Sequence, residues 1–144
     1  MAFKISRPVH LYETDLMGVV HHSNYIRYME EARFAWLRAE NLIHLHGTEA
    51  DCVFAVLEVQ AEYKSPLRWG DTFEVEMSVT QMRSRFRFDA VIRAIRDQQQ
   101  PLVLRGVVIL ACVNNKLQPI KPPAELVKFF AREAEKNKET LHGS

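Results

Sequence analysis

The stretch that decides the fold is residues 12 to 34, Tyr12-Glu-Thr-Asp15-Leu-Met-Gly18-Val-Val-His21-His22-Ser-Asn24-Tyr25-Ile-Arg-Tyr28-Met-Glu30-Glu31-Ala-Arg33-Phe34. It places a carboxylate, a glycine, two imidazoles and the start of an amphipathic segment close together in the chain. The first N–H groups of a helix have no partner inside the helix. The stretch therefore aims an acid and a set of backbone donors at one small volume, which suits attack on a carbonyl.

A helix is predicted after residue 22, because apolar or small residues recur at the spacing of one buried helix face. These residues are Tyr25, Tyr28, Met29, Ala32, Ala35, Trp36 and Ala39. A second apolar stripe of Ile26, Phe34 and Leu37 predicts that the helix is enclosed on most sides. Glu30 and Arg33 lie one turn apart, and this spacing predicts an ion pair on the helix surface.

The segments on either side of the acid complete the local prediction. Phe3 to Tyr12 is predicted to be a strand, and Pro8 indicates an edge or a strand break. Gly18 permits a backbone conformation that bulkier residues resist. Ser23 and Asn24 are residue types that cap helix N-termini, so the helix is expected to begin there.

Four further segments have the pattern of strands. Val53 to Tyr63 alternates, with Val53, Ala55, Leu57, Val59, Ala61 and Tyr63 on one face. Thr72 to Met82 and Arg85 to Ile95 alternate in the same way, and Leu102 to Val113 is nearly continuously apolar, which fits a central strand. The prediction is an α+β domain: a long central helix wrapped by a curved antiparallel sheet of about five to six strands. The segment Pro123 to Glu139 is predicted to be a capping or interface helix.

Two motifs resemble the hot-dog-fold acyl-CoA thioesterases of the 4-hydroxybenzoyl-CoA thioesterase type. The first joins Thr14-Asp15-Leu-Met-Gly18-Val-Val-His21-His22-Ser-Asn24-Tyr25 to Tyr28-Met-Glu30-Glu31-Ala32-Arg33. The second is Tyr63-Lys-Ser-Pro66-Leu-Arg-Trp-Gly70-Asp71, where the family places a strand, a proline turn and Gly-Asp. The resemblance covers residues 3 to 130. It implies a hot-dog homodimer, often paired into a homotetramer, that hydrolyses coenzyme A thioesters without a metal or another cofactor.

The resemblance also implies a division of labour among these residues. The backbone N–H of His22 would hold the oxyanion that develops during acyl transfer. Asp15 would act as general base on water, or as a nucleophile through a mixed anhydride, and both routes stay open. The imidazole of His22 could hydrogen-bond the carboxylate or the substrate, whereas His21 is predicted to be structural. The implied substrate-binding residues are Gly18, Val19, Asn24 and Tyr25.

Composition is that of an ordinary single domain spanning residues 1–144, with a frayed tail from residue 137. The 144 residues are 47% hydrophobic, enough for one core, and the net charge of +1 gives no general attraction to nucleic acid. No apolar run reaches the ~20 residues of a membrane span. The N-terminus lacks the apolar core of a signal peptide, so a cytoplasmic location is predicted. Cys52 and Cys112 are too few for a disulfide framework and are predicted to be buried or idle thiols.

Alternatives to the implied function stay open at this point. A non-catalytic acyl-CoA-binding module and a hot-dog enoyl hydratase or dehydratase are the rivals, and an acyl carrier protein thioester could replace acyl-CoA. His44-Leu-His46 could form part of a metal site, although solvated loop histidines are favoured. Six arginines are candidates for the phosphates of coenzyme A, against a solvated strand face: Arg83, Arg85, Arg87, Arg93, Arg96 and Arg105.

Overall fold

The computed structural model of the protein describes residues 3–42 and 52–142, with side chains through residue 136. One antiparallel sheet has the strand order β1-β3-β4-β5-β2. The elements are β1 (Phe3–Pro8), α1 (Ser23–Ala39), β2 (Val53–Tyr63), β3 (Thr72–Met82), β4 (Arg85–Ile95), β5 (Leu102–Val113) and α2 (Ala124–His142). The predicted α+β class is confirmed, and the predicted limits of β2 to β5 match the observed ones.

The core lies between one face of the sheet and the two helices. The predicted inward residues of β3 and β4 are all buried: Phe73, Val75, Met77, Val79, Phe86, Phe88, Ala90, Ile92 and Ala94. They share a face because successive side chains of a strand alternate between the two sides of the sheet. β5 lies between β4 and β2, which confirms its predicted interior place.

The first strand is shorter than predicted. β1 is an edge strand that ends at Pro8, and Leu11–Glu13 form a 3₁₀ turn, so the predicted strand to Tyr12 is wrong beyond Pro8. The backbone N–H of His10 donates to the carboxylate of Glu13 over 2.8 Å. This contact closes the chain into a turn, and strand alternation gives no sign of it.

A β-bulge in β2 overturns part of the predicted facing of its side chains. Val59 pairs with Val108 and Val56 pairs with Leu110, which leaves Leu57 as an extra residue between them. Because directly opposed residues of antiparallel strands share a face, Tyr63, Ala61, Val59, Val56 and Phe54 lie on the same face of the sheet as the β5 residues that they oppose. Phe54 and Ala61 pack against the core, whereas Val56, Val59 and Tyr63 are exposed at the edge of the sheet. The prediction for Leu57, Ala55 and Val53 is therefore wrong.

In the part of the chain that the structure describes, helix α1 buries one face and leaves the opposite face exposed. The predicted enclosure of this helix on most sides is therefore wrong. Ile26 and Glu30 are exposed, whereas Tyr28 and Met29 are buried. Arg33 is buried as well, which contradicts the predicted surface ion pair with Glu30. Its Nε atom has no hydrogen-bond partner within the described ranges.

Helix α2 covers the end of the core, in agreement with its predicted capping role. Leu126, Phe129 and Phe130 are buried, and Phe130 stacks on Phe86 of β4 with ring centroids 4.2 Å apart. In the part of the chain that the structure describes, neither helix is long and apolar enough to cross a membrane. Fraying of the tail and the lack of further domains stay predictions.

Candidate active site

Asp15 begins a tight hairpin that ends at Val19. The N–H of Asp15 donates to the carbonyl of Val19 over 2.9 Å, and the N–H of Gly18 donates to the carbonyl of Asp15 over 3.1 Å. Gly18 has a φ of 76°, which is costly for residues with a side chain. The glycine predicted to permit a turn therefore forms one.

One carboxylate oxygen of Asp15 is held by the hairpin. Oδ1 accepts the N–H of Met17 at 2.8 Å and that of Val19 at 3.4 Å. No described residue donates a hydrogen bond to Oδ2, and the side chain is exposed. The carboxylate is thus oriented by the backbone while one of its oxygens stays free for water or substrate.

Helix α1 begins differently from the prediction. His22 is the N-cap residue, and no side chain caps it, so the predicted capping by Ser23 or Asn24 is wrong. The ring of His21 takes a related role, because its Nδ1 accepts the N–H of Ser23 at 3.2 Å and lies 2.8 Å from Ser23 Oγ.

The backbone of His22 lies at the positive end of the α1 dipole. Its N–H meets no acceptor among residues 3–42 and 52–142, and its carbonyl accepts the hydroxyl of Tyr63 at 3.2 Å. The imidazole is exposed and packs against His21, with ring centroids 4.2 Å apart. A free N–H at a helix start is the kind of donor that can hold an oxyanion.

Asn24 and Tyr25 lie in the first turn of α1 and are buried. The side-chain amide of Asn24 donates to the main-chain carbonyl of Glu13 over 2.9 Å. The hydroxyl of Tyr25 accepts the N–H of Leu67 at 3.0 Å, and burial raises the pKa of this hydroxyl. Both side chains thus tie the helix start to neighbouring loops.

The turn from Pro66 to Asp71, which contains the second motif's proline and Gly-Asp, packs against the hairpin of the first. The N–H of Trp69 donates to the carbonyl of Gly18 over 3.3 Å. Arg96 donates to both oxygens of Asp71 at 2.7 and 3.0 Å and lowers the pKa of this carboxyl, whose burial opposes the shift. The two motifs of the sequence therefore form one site.

The arginines predicted as phosphate ligands differ in how they are engaged. Arg96 is bound to Asp71, and Arg87 donates to the carboxylate of Asp89 with a closest distance of 3.1 Å. Arg93 donates to the carbonyl of Gln100 over 3.4 Å. Which arginines contact coenzyme A stays a prediction.

Glu13 could not be singled out from the sequence. The residue is 5% exposed, and its side chain pairs with Arg7 across the start of the site. Hydrogen bonds from Arg7 hold its pKa below the ordinary glutamate value, although burial by itself would raise it. A glutamate between Tyr12 and Thr14 has the sequence context of an exposed loop residue. The pattern therefore gave no signal for its burial.

Exposed apolar side chains lie in the hairpin, in the neighbouring turn and along edge strand β2. Leu16 and Met17 in the hairpin, Trp69 in the neighbouring turn, and Val56 and Leu57 on edge strand β2 are all open to solvent. Apolar patches of this kind mark surfaces that bind a partner or a ligand.

The cysteines and the histidines considered as metal ligands are the remaining residues singled out in the sequence. Cys52 and Cys112 are buried free thiols, as predicted, but their Sγ atoms lie 3.1 Å apart, Cys52 just before β2 and Cys112 in β5. The two cysteines are far apart in the sequence, so their proximity in space was not predicted. Within the described residues, no group of three or more metal-ligating side chains comes together. His44 and His46 lie outside those residues.

Comparisons with known proteins agree on one family. A family model described as the thioesterase-like superfamily matches residues 9–130. The acyl-CoA thioester hydrolase YbgC of Escherichia coli is 29% identical over 126 residues, which are 85% of this chain and 92% of that protein.

Solved structures agree with the predicted hot-dog fold. A hypothetical protein of Aquifex aeolicus, 31% identical, superposes with a TM-score of 0.77 over 88% of this chain and 97% of that one. A mutant 4-hydroxybenzoyl-CoA thioesterase complexed with 4-hydroxybenzoyl-CoA superposes with a TM-score of 0.76 at 16% identity, over 88% and 96% of the chains. The similarity to the 4-hydroxybenzoyl-CoA thioesterase structure bears on the fold alone. The predicted hot-dog fold is confirmed.

Proposed function

Since the chain belongs to the thioesterase-like superfamily, we propose that it hydrolyses acyl-coenzyme A thioesters to a carboxylic acid and free coenzyme A. The predicted class of enzyme, a thioesterase, follows from the family. The assignment of acyl-CoA as the substrate goes beyond the family, and the name of the Escherichia coli relative supports it. The observation that carries the proposal is a carboxylate held at one oxygen, in the hairpin that leads directly to a free helix N–H.

In the proposed reaction, the thioester carbonyl binds at the start of α1. The N–H of His22 donates to the carbonyl oxygen, and this bond strengthens as negative charge develops there. The free oxygen of Asp15 takes a proton from water, whose oxygen attacks the carbonyl carbon. The C–S bond then breaks, and the coenzyme A thiolate leaves and takes up a proton.

A nucleophilic route uses the same geometry. The free oxygen of Asp15 attacks the carbonyl carbon, coenzyme A leaves, and water hydrolyses the resulting mixed anhydride. Unlabelled product acid after a single turnover in ¹⁸O-labelled water would establish the nucleophilic route, whereas labelled acid is compatible with both routes. Attack by water puts the label into the product acid at once. Attack by Asp15 first delivers an unlabelled carboxylate oxygen when water then opens the anhydride at Asp15.

The remaining site residues divide into two groups in this proposal. Gly18 is exposed and Val19 is half-buried in the turn beside the carboxylate, so we assign them to substrate contact. Asn24 and Tyr25 are buried, and their polar groups are bonded to protein. We therefore assign them to holding the helix start.

A second copy of this chain is the proposed partner. β2 is an edge strand whose Val56, Leu57 and Val59 are exposed, and an unpaired strand edge invites pairing with another strand. Pairing along β2 would give a homodimer and bury these side chains. Pairing of two such dimers would give the predicted homotetramer.

Sedimentation of two matched variants tests the assembly. Val59 on β2 is 39% exposed and Val127 on α2 is 37% exposed. Val59→Asp should shift the protein towards monomer, whereas Val127→Asp should leave the assembly of the parent. If the two variants sediment alike, β2 is not the interface.

Thiol release from a panel of thioesters tests the function. The panel runs from short aliphatic to aromatic acyl-CoA and includes an acyl carrier protein thioester. Turnover with release of thiol supports the proposal and gives the substrate class. Saturable binding without product would favour a binding module, and a change in enoyl absorbance without thiol would favour a hydratase. Unchanged turnover after chelation by EDTA is expected for a reaction without metal.

A further inference from the structure

Glu13 lies at the buried end of a partly buried ion pair beside the candidate active site. Arg7 donates from Nη1 to Oε1 at 3.0 Å and from Nη2 to Oε2 at 2.7 Å, which is a two-point contact of carboxylate and guanidinium. Oε1 also accepts the N–H of His10 at 2.8 Å. The bonds from Arg7 and His10 hold the turn that precedes Asp15.

Arg7 links the same turn to the body of the protein. It donates from Nε and Nη2 to the carboxylate of Glu31 on α1, at 3.0 Å each. Its guanidinium also lies over the rings of Tyr28 and Phe73, 4.9 and 5.1 Å from their centroids. Glu13 is therefore anchored to β1, β3 and α1 through one side chain.

The main-chain carbonyl of Glu13 faces the other way, towards the start of α1. It accepts the N–H of His21 at 2.9 Å and the side-chain amide of Asn24 at 2.9 Å. The neighbouring rung of the same hairpin joins Asp15 to Val19. The carbonyl of Glu13 thus holds His21, the residue before His22. Asp15 follows Glu13 two residues later in the chain.

We propose that Glu13 is a positioning residue for the reaction, which sets the distance between the Asp15 carboxylate and the His22 N–H through its bonds to Arg7, His21 and Asn24. The inference rests on the proposed function and assigns no contact with substrate to Glu13. Catalysis is sensitive to this distance, since a displacement of about 1 Å can cost about 100-fold in rate.

Glu31 offers a matched control. It binds the same Arg7 with the same kind of two-point contact, but its side chain is 44% exposed and lies on the solvent side of α1. No hydrogen bond among the described residues links it to the hairpin. Loss of the Glu31 charge therefore perturbs Arg7 without releasing the carbonyl of Glu13.

The test compares Glu13→Gln with Glu31→Gln, both assayed well below their unfolding temperatures. Glu13→Gln should lower kcat by about 10- to 100-fold and change KM by less than about threefold, because chemistry and not binding is disturbed. Glu31→Gln should keep the kcat of the parent. A folded Glu13→Gln protein with parental kcat, or an equal fall in both variants, would overturn the proposal.

Hydrogen exchange gives a readout that does not depend on turnover. The amides of His21 and Asp15 should exchange faster in Glu13→Gln, while those of the β3–β4 hairpin should keep their parental rates. Unchanged exchange at His21 and Asp15 would also overturn the proposal. If the parent hydrolyses no thioester, the proposed function fails, and this measurement still decides whether Glu13 holds the hairpin.

A second variant covers the case in which Glu13→Gln does not fold. Asn24→Ala removes one of the two bonds to the carbonyl of Glu13 and leaves the ion pair of Glu13 and Arg7 intact. It should lower kcat with little change in KM, by a smaller factor than Glu13→Gln, because the bond from His21 remains. Parental kcat and parental exchange at His21 in this variant would contradict the proposal.

Discussion

The hydroxyl of Tyr63 on edge strand β2 donates a hydrogen bond to the main-chain carbonyl of His22 at the start of α1, over 3.2 Å. This bond joins the first residue of one sequence motif to the helix start of the other. Tyr63 also packs edge-to-face on Tyr25, with centroids 5.5 Å apart. The orientation of the His22 backbone is therefore supported from the sheet as well as from the hairpin.

Tyr63→Phe removes this hydrogen bond and keeps the ring. The bond is exposed, so its loss should lower the free energy of unfolding by at most about 1 kcal/mol. We expect kcat/KM to fall by less than about tenfold, because the His22 carbonyl loses a support but the hairpin stays. Urea unfolding and thiol release measure the two effects. A fall as large as that of an Asp15 variant would mean that the Tyr63 hydroxyl itself acts on the substrate.

Two substitutions separate the backbone of His22 from its side chain. His22 has a φ of −55°, which a proline ring permits, so His22→Pro deletes the N–H without forcing this φ. Loss of one oxyanion donor typically costs about 100- to 1000-fold in kcat. His22→Pro should therefore lose about this much, whereas His22→Ala, which keeps the N–H, should lose much less. Circular dichroism of both variants checks the helix. An equal loss in His22→Ala would assign the role to the imidazole.

The ion pair of Asp71 and Arg96 predicts how stability depends on pH. Arg96 holds the pKa of Asp71 below its ordinary value of about 3.9. The unfolded chain therefore binds a proton at a higher pH than the folded one does. This contribution to stability is fully present above the ordinary pKa and is lost as the pH falls through the folded pKa.

Asp71→Asn should lower the free energy of unfolding at neutral pH by about 1.5 to 3 kcal/mol, the value of a hydrogen bond to a charged group. The difference between parent and variant should stay constant above about pH 5 and shrink at more acidic pH. Urea unfolding between neutral and acidic pH measures it. A difference that does not shrink in acid would show that the charge of Asp71 is not what stabilises the turn.

The strands of the sheet could be predicted closely because their signal is local. Alternation in β3 and β4 follows from which side chains face the core, and a hairpin keeps both patterns in register. In β2 the same rule gave the wrong face beyond the bulge at Leu57. A bulge depends on pairing with β5, a partner that lies far away in the chain.

In the candidate site, too, features with a local cause could be predicted, and features that depend on distant residues could not. The sequence predicted the turn at Gly18, because its residue type narrows the local conformation. The pairing of Glu13 with Arg7 could not be predicted, since it depends on β1 ending at Pro8 and on the turn that follows. The hydrogen bond from the Ser23 N–H to the His21 ring was also missed, because Ser23 itself has the stronger preference for a helix start.

Asp15 is proposed to act on the thioester while the hairpin holds the Asp15 carboxylate in place. Asp15→Asn tests this most directly, because an asparagine oxygen can still accept the N–H groups of Met17 and Val19. The variant should fold as the parent does, bind acyl-CoA, and release thiol about 100- to 10,000-fold more slowly on a thioester that the parent hydrolyses. Release at a rate within tenfold of the parent would contradict the account and move the chemistry to another group.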